Sequence, residues 1–169
     1  MQLNKAKLYR CGILTLSDKG SRGEREDTSG PLLRELLTTH GFAVTVCKML
    51  PDEEEMIAAA LATWADEERL DLIVTTGGTG VAPSDRTPEA TRRVIGREIP
   101  GIAEAMRAAS LVKTGQAVWS RGIAGIRGQC LIINLPGSAR AAKENLEAVL
   151  PMLAHGIDKI QGSTADCGG

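Results

Sequence analysis

Four apolar runs of strand length recur along this chain, each closed by a polar or glycine-rich turn and followed by a stretch of helical periodicity. They are LYRCGILTL at residues 8–16, FAVTVCKML at 42–50, LDLIVT at 70–75 and QCLIINL at 129–135. The LIV core of the third run is apolar at every position, so that strand is expected to be buried on both faces, as in a parallel sheet. Strands alternating with helices predict an α/β layered sandwich around a mostly parallel sheet.

The intervening segments carry helix signals. Residues 29–40 open on Ser29 as an expected N-cap, have Pro31 in the first turn and stop at Gly41. Residues 52–69 start with Asp52 as a natural N-cap and Glu55 three positions on, as in a capping box. Ile57, Leu61, Trp64 and Ala65 form the apolar stripe of that helix. Thr87-Pro88-Glu89 opens another, 102–112 is helical again, and Ser138 caps a long last helix to about residue 154, with 155–161 as an extension. Residues 117–128 are broken by glycine and suit a short strand or hairpin. The whole reads as one domain over residues 1–162 with a loose tail over 163–169.

Composition excludes several function classes. A net charge of −1 gives no electrostatic reason to bind nucleic acid or an anionic membrane. Aromatic residues make up 2%, too few for the base-stacking platforms of single-strand binders. Cys11, Cys47 and Cys130 lie inside apolar runs and are expected as buried, reduced thiols. The chain shows neither a signal-like apolar segment near Met1 nor a membrane-length run, which points to the cytoplasm. His40 and His155 have no Cys, Ser or Asp arrangement that would make them catalytic.

Ligands of open α/β sheets bind beyond the carboxyl ends of the strands. Four loops are expected there: 17–27, 50–52, 76–85 and 134–138. The third contains TTGGTG, which fits neither GxGxxG nor GxxxxGK[ST] and has no lysine. Gly77, Gly78 and Gly80 would let backbone amides approach phosphate oxygens, and Thr76 and Thr79 would add hydroxyls. The alternative is a strand-to-helix turn that needs glycine dihedrals. Asp85 follows in the same loop, where a carboxylate beside a triphosphate repels it unless a divalent cation lies between. Mg²⁺ suits one or two carboxylates plus phosphate oxygens and waters. Asp52 is the second carboxylate, on a strand expected to neighbour the TTGGTG strand. Each has a bland alternative, Asp52 as a helix cap and Asp85 in an Asx-type turn. Asp18, Asp27 and Ser29 line the first long loop, where a carboxylate suits the amino face of a purine or pterin. Ser120-Arg121 suits a substrate phosphate, with an ordinary solvated arginine as the alternative.

DLIVTTGGTGVAPSDRTPEAT, with LPDE upstream and LIINLPGS downstream, resembles the molybdopterin adenylyltransferases of molybdenum cofactor biosynthesis. These comprise stand-alone bacterial enzymes and the gephyrin G domain. The resemblance extends over about residues 11–160 and takes in ILTLSD, EDTSG, the SR of VWSRG, and GIRG. It implies a three-layer α/β/α fold, often trimeric. The implied reaction joins Mg-ATP and molybdopterin into adenylylated molybdopterin plus pyrophosphate, for later hand-over to a molybdate-insertion enzyme. The family's two aspartates fall on Asp52 and Asp85, as metal ligands and catalytic residues. Its phosphate loop falls on Thr76–Gly80, and the lips of the nucleotide and pterin site on Ser17, Asp18, Asp27, Ser29, Gly30, Ser120, Arg121, Pro136, Gly137 and Ser138. Where many relatives read PRD, this chain reads Pro83-Ser84-Asp85, with its arginine displaced to Arg86. A molybdate-insertion transferase, a non-catalytic pterin-binding paralogue and a related nucleotide hydrolase are the competing readings.

Overall fold

The computed structural model describes residues 7–164. Of the expected tail, 165–169 lie outside the described residues, and so do residues 1–6 of the expected domain. The chain runs β1 (Tyr9–Leu16), α1 (Asp18–Ser21), α2 (Ser29–Thr39), β2 (Phe42–Leu50), α3 (Glu54–Asp66) and β3 (Leu72–Thr76). It continues through α4 (Thr87–Val94), β4 (Arg97–Glu98), α5 (Pro100–Leu111), a 3₁₀ turn (Gly115–Trp119), β5 (Ala124–Arg127), β6 (Cys130–Leu135) and α6 (Ala139–Ile160).

One six-stranded sheet has the order β2-β1-β3-β6-β5-β4. The first four strands are mutually parallel, whereas β5 pairs antiparallel with β6 and β4 with β5. Alternate residues of each central strand enter different cores. Cys11, Ile13, Leu72, Val74, Leu131 and Ile133 pack under α2, α5 and α6. Leu14, Leu16, Ile73, Cys130 and Ile132 pack under α3 and α4. The three layers follow from strands that are apolar on both faces. Gly12 belongs to this packing, because a Cβ there would stand 2.8 Å from the Trp64 ring.

The structure corrects several local expectations. Ser29 does not cap α2; it lies within the first turn and its hydroxyl donates to the Gly137 carbonyl, 2.9 Å away. Asp27 takes the capping role, its Oδ1 accepting from Gly30 N–H at 2.9 Å. Asp52 does not cap α3, whose N-cap is Glu53, and no capping box forms, because Glu55 is exposed and pairs with Arg93. Thr87 does open α4, behind Arg86 as the N-cap; it is buried and its hydroxyl donates to Gly77 O at 2.8 Å. Ser138 does cap α6, accepting from Ala141 N–H. Cys47 is exposed, because β2 is an edge strand. Burial pushes the Cys130 thiol up to about 12 and raises that of Cys11 well beyond its ordinary value, so both stay protonated and inert. Among the described residues no helix is long and apolar enough to cross a membrane.

Candidate active site

Strands β1, β2, β3 and β6 all end on the same side of the sheet, and the helices α1, α3, α4 and α6 begin there. Their N-terminal ends bring unpaired N–H groups and partial positive charge to one crevice. Two cavities open along it. One, of about 350 Å³, is lined by Ser17, Asp27, Ser29, Asp52, Thr76 and Gly77 among others. The other, of about 460 Å³, is lined by Thr79, Gly80, Ser120 and Pro136, together with residues of α5, α6 and the 3₁₀ turn. Gly78, Asp85, Gly137 and Ser138 border both. The divide between the cavities is tight: a Cβ on Gly137 would stand 3.3 Å from the Gly77 Cα.

The TTGGTG loop separates into two halves with different duties. Thr75, Thr76 and Gly77 are structural. Thr75 Oγ1 accepts from Asn134 Nδ2 at 3.1 Å, and the Thr76 hydroxyl donates to Pro136 O at 2.7 Å. Gly77 N–H donates to Leu135 O at 3.2 Å, so this amide is not free for a ligand. Gly77 and Gly78 have φ of 103° and 65°, which reserves both places for glycine. Among the described residues, the N–H groups of Gly78, Thr79 and Gly80 donate to no protein acceptor, and all three residues line the larger cavity. Three consecutive amides without partners at a cavity wall form an anion-binding surface.

Asp52 and Asp85 approach this loop at Gly78 and Gly80 respectively. The strand before Asp52 does not neighbour β3, as the sequence suggested, since β1 lies between them. Asp52 nevertheless reaches the loop: its Oδ1 would stand 2.9 Å from a Cβ on Gly78. It is held there by a reciprocal pair with Asp18. Asp18 N–H donates to Asp52 Oδ2 at 3.1 Å, and Asp52 N–H donates to Asp18 Oδ1 at 2.8 Å. Asp18 therefore lines neither cavity and acts by positioning Asp52. Among the described residues, Asp52 Oδ1 is buried with no hydrogen-bond partner, an arrangement that costs free energy unless something binds there. Asp85 does not form the expected Asx-type turn: its Oδ2 accepts from Ala82 N–H, three residues earlier, at 2.9 Å, its own N–H donates to Ala82 O, and it lines both cavities.

The pair fits a divalent cation. A buried carboxylate oxygen lacks a partner among the described residues, a second carboxylate borders the same cavity, and the two approach Gly78 and Gly80, whose amides are free for phosphate. No group of three or more Asp, Glu, His or Cys among the described residues is placed to hold a metal by itself. Mg²⁺ does not need one, since phosphate oxygens and waters complete its shell.

Burial raises the Asp52 carboxyl above its ordinary value; the Asp18 N–H bond offsets part of this, and the charges of Asp18 and Asp85 add to the rise. A raised folded-state value means that the folded chain holds more protons than the unfolded one across that window. Stability is therefore lost as pH rises through it and stays low above. Asp52→Asn is expected to raise the melting temperature at pH 7 by about 2 °C, a gain that fades as pH falls through the raised folded-state value and is largely gone below about pH 3.8. Thermal melts at pH 7 and pH 3.5 check this.

Arg121, expected as a phosphate clamp, is committed elsewhere. Its guanidinium donates to Gly80 O at 2.6 Å, to Asp85 O at 2.8 Å and to the Glu89 carboxylate, which it holds below its ordinary value. It thus fixes the loop that carries Asp85. Arg86, the displaced arginine, pairs with Glu54 at 2.5 Å and lines neither cavity. Gly30 lies beside Asp27, outside both cavities. Sequence reasoning missed Arg107, Ser110, Trp119 and Asn145 in the larger cavity. Asn145 was legible as a polar residue inside the buried α6 stripe of Ala142, Leu146 and Val149, where its Nδ2 donates to Ser110 Oγ at 2.7 Å.

Comparison with known proteins shows the family. The family described as "Probable molybdopterin binding domain" matches residues 12–155. The chain belongs to this molybdopterin-binding family. A molybdopterin biosynthesis enzyme, MoaB, from Thermus thermophilus has 55% sequence identity and a TM-score of 0.88, over 92% of this chain and 98% of that one. A molybdopterin adenylyltransferase of Helicobacter pylori J99 is 42% identical over 90% of this chain and 88% of its own length. The Drosophila melanogaster molybdenum cofactor synthesis protein cinnamon is 42% identical over 88% of this chain, which spans only 25% of that protein.

Proposed function

We propose that this family member is a molybdopterin adenylyltransferase, transferring AMP from Mg-ATP to the terminal phosphate of molybdopterin and releasing pyrophosphate. The observation that carries the reading is the buried, partnerless Asp52 Oδ1 beside the free amides of Gly78–Gly80, with Asp85 on the same cavity. The names of its relatives supply the substrate class.

A phosphate oxygen of molybdopterin attacks the α-phosphorus of ATP, a new P–O bond forms, and the bond to the bridging oxygen breaks as pyrophosphate leaves. The nucleophile is already anionic, so no strong general base is needed, and none is offered by histidine. The chain's part is alignment and charge stabilisation. The Gly78–Gly80 amides receive phosphate oxygens, and Arg121 keeps the Asp85 loop in place. Asp52 and Asp85 would hold Mg²⁺, which supplies the positive charge that a lysine supplies in other phosphate loops. A homotrimer in the cytoplasm, passing its product to a molybdate-insertion enzyme, completes the proposal.

Pyrophosphate release from Mg-ATP by the purified protein, with and without molybdopterin, tests it. Release that requires the pterin is the expected result. Release without pterin would mean that water is the acceptor, and pterin binding without release would mean a non-catalytic relative.

A further inference from the structure

The chain holds four aromatic side chains, two Trp, one Tyr and one Phe. Three are used up by the cores: Tyr9 and Phe42 meet ring to ring at 5.6 Å, and Trp64 is 6% exposed. The fourth, Trp119, is 57% exposed and lines the 460 Å³ cavity. An exposed indole on a loose loop would mean little, but this one stands on a fixed ledge. It ends a 3₁₀ turn opened by Thr114, whose Oγ1 accepts from Gln116 N–H. The residues that follow it are tied down from two sides. Arg107 donates to Gly122 O at 3.0 Å, while Arg121 N–H donates to Thr79 O at 2.8 Å and its guanidinium reaches Gly80 O. The backbone that carries the indole is therefore tied to the loop that presents the free amides.

We propose that Trp119 is a stacking and specificity residue, its indole packing against a bicyclic nitrogen heterocycle in the larger cavity. The proposal rests on the functional reading above, which brings two such rings, the purine of ATP and the pterin, to this crevice. Either ring has the flat π face that an indole prefers, and a preset platform spends little entropy in meeting it. The Trp119 side chain makes no contribution to either core, so its replacement leaves the fold intact.

The test uses the intrinsic fluorescence of the whole protein, with calorimetry beside it. Trp64 is sealed in the core, so changes on ligand addition report Trp119. Mg-ATP, a free pterin and inorganic tripolyphosphate are titrated into wild type, Trp119→Phe and Trp119→Ala. Quenching by ATP, by pterin or by both is expected, with none from tripolyphosphate, which has no ring. The ligand that quenches identifies the ring in this cavity. Trp119→Ala is expected to bind that ligand about tenfold or more weakly, Trp119→Phe to recover most of the loss, and both to bind tripolyphosphate as wild type does. Equal affinity of wild type and Trp119→Ala for both ring ligands would overturn the stacking role and leave the adenylyl-transfer reading standing. A wild-type protein that binds neither ATP nor pterin would overturn that reading and the stacking role together.

Discussion

Asp85→Asn is expected to slow pterin-dependent pyrophosphate release by about 10²- to 10³-fold, with little loss of stability. The substitution keeps the local structure, because an amide oxygen can still accept from Ala82 N–H, as Asp85 Oδ2 does at 2.9 Å. The contacts of Arg121 with Gly80 O and Asp85 O involve backbone oxygens and survive unchanged. What disappears is one negative charge at the border of the two cavities. A variant that melts like wild type yet turns over within tenfold of it would show that the charge of Asp85 is not used in the reaction.

Gly77→Ala is expected to cost about 3 kcal/mol of stability. Its φ of 103° lies where side chains are strained, and a Cβ would collide with the Leu16 carbonyl, a backbone atom of β1 that cannot swing aside. Gly77 also ties β3 to β6 through Leu135 O and receives the Thr87 hydroxyl, so the damage spreads to three elements. Gly80→Ala makes the informative contrast. There a Cβ would stand 2.8 Å from Asp85 Oδ2, a side-chain atom that can move. Gly80→Ala is expected to fold nearly as well as wild type but to lose activity, because it displaces the carboxylate. Denaturant melts and pyrophosphate assays on both variants separate the structural half of the glycine loop from its ligand-facing half.

The sheet was legible because LIV at 72–74 and CLII at 130–133 are apolar at consecutive positions, as strands buried on both faces are. The cleft was legible too, since ligands of such sheets gather at the carboxyl ends of strands. Long-range partners were not. Asp52 sits where a helix cap is expected, yet it pairs with Asp18, 34 residues earlier, and no local pattern encodes that. Arg121 looked like a free phosphate ligand because its partner Glu89 and the carbonyls of Gly80 and Asp85 come together only in the fold. Strand order was misjudged between β2 and β3, because loop contents do not say which strand is threaded between two others. Strand β4 has two exposed residues, too few to leave a periodicity. Trp119 escaped notice because a single aromatic carries no pattern.

The central claim is that a phosphate loop without a lysine works through a cation held jointly by Asp52 and Asp85. Paramagnetic resonance of Mn²⁺, used in place of Mg²⁺ and titrated into the protein with saturating ATP, tests it most directly. Wild type is expected to take up one Mn²⁺ per ATP-loaded chain, and Asp52→Asn and Asp85→Asn to bind it at least about tenfold more weakly. Equal Mn²⁺ affinity in all three proteins would contradict the claim.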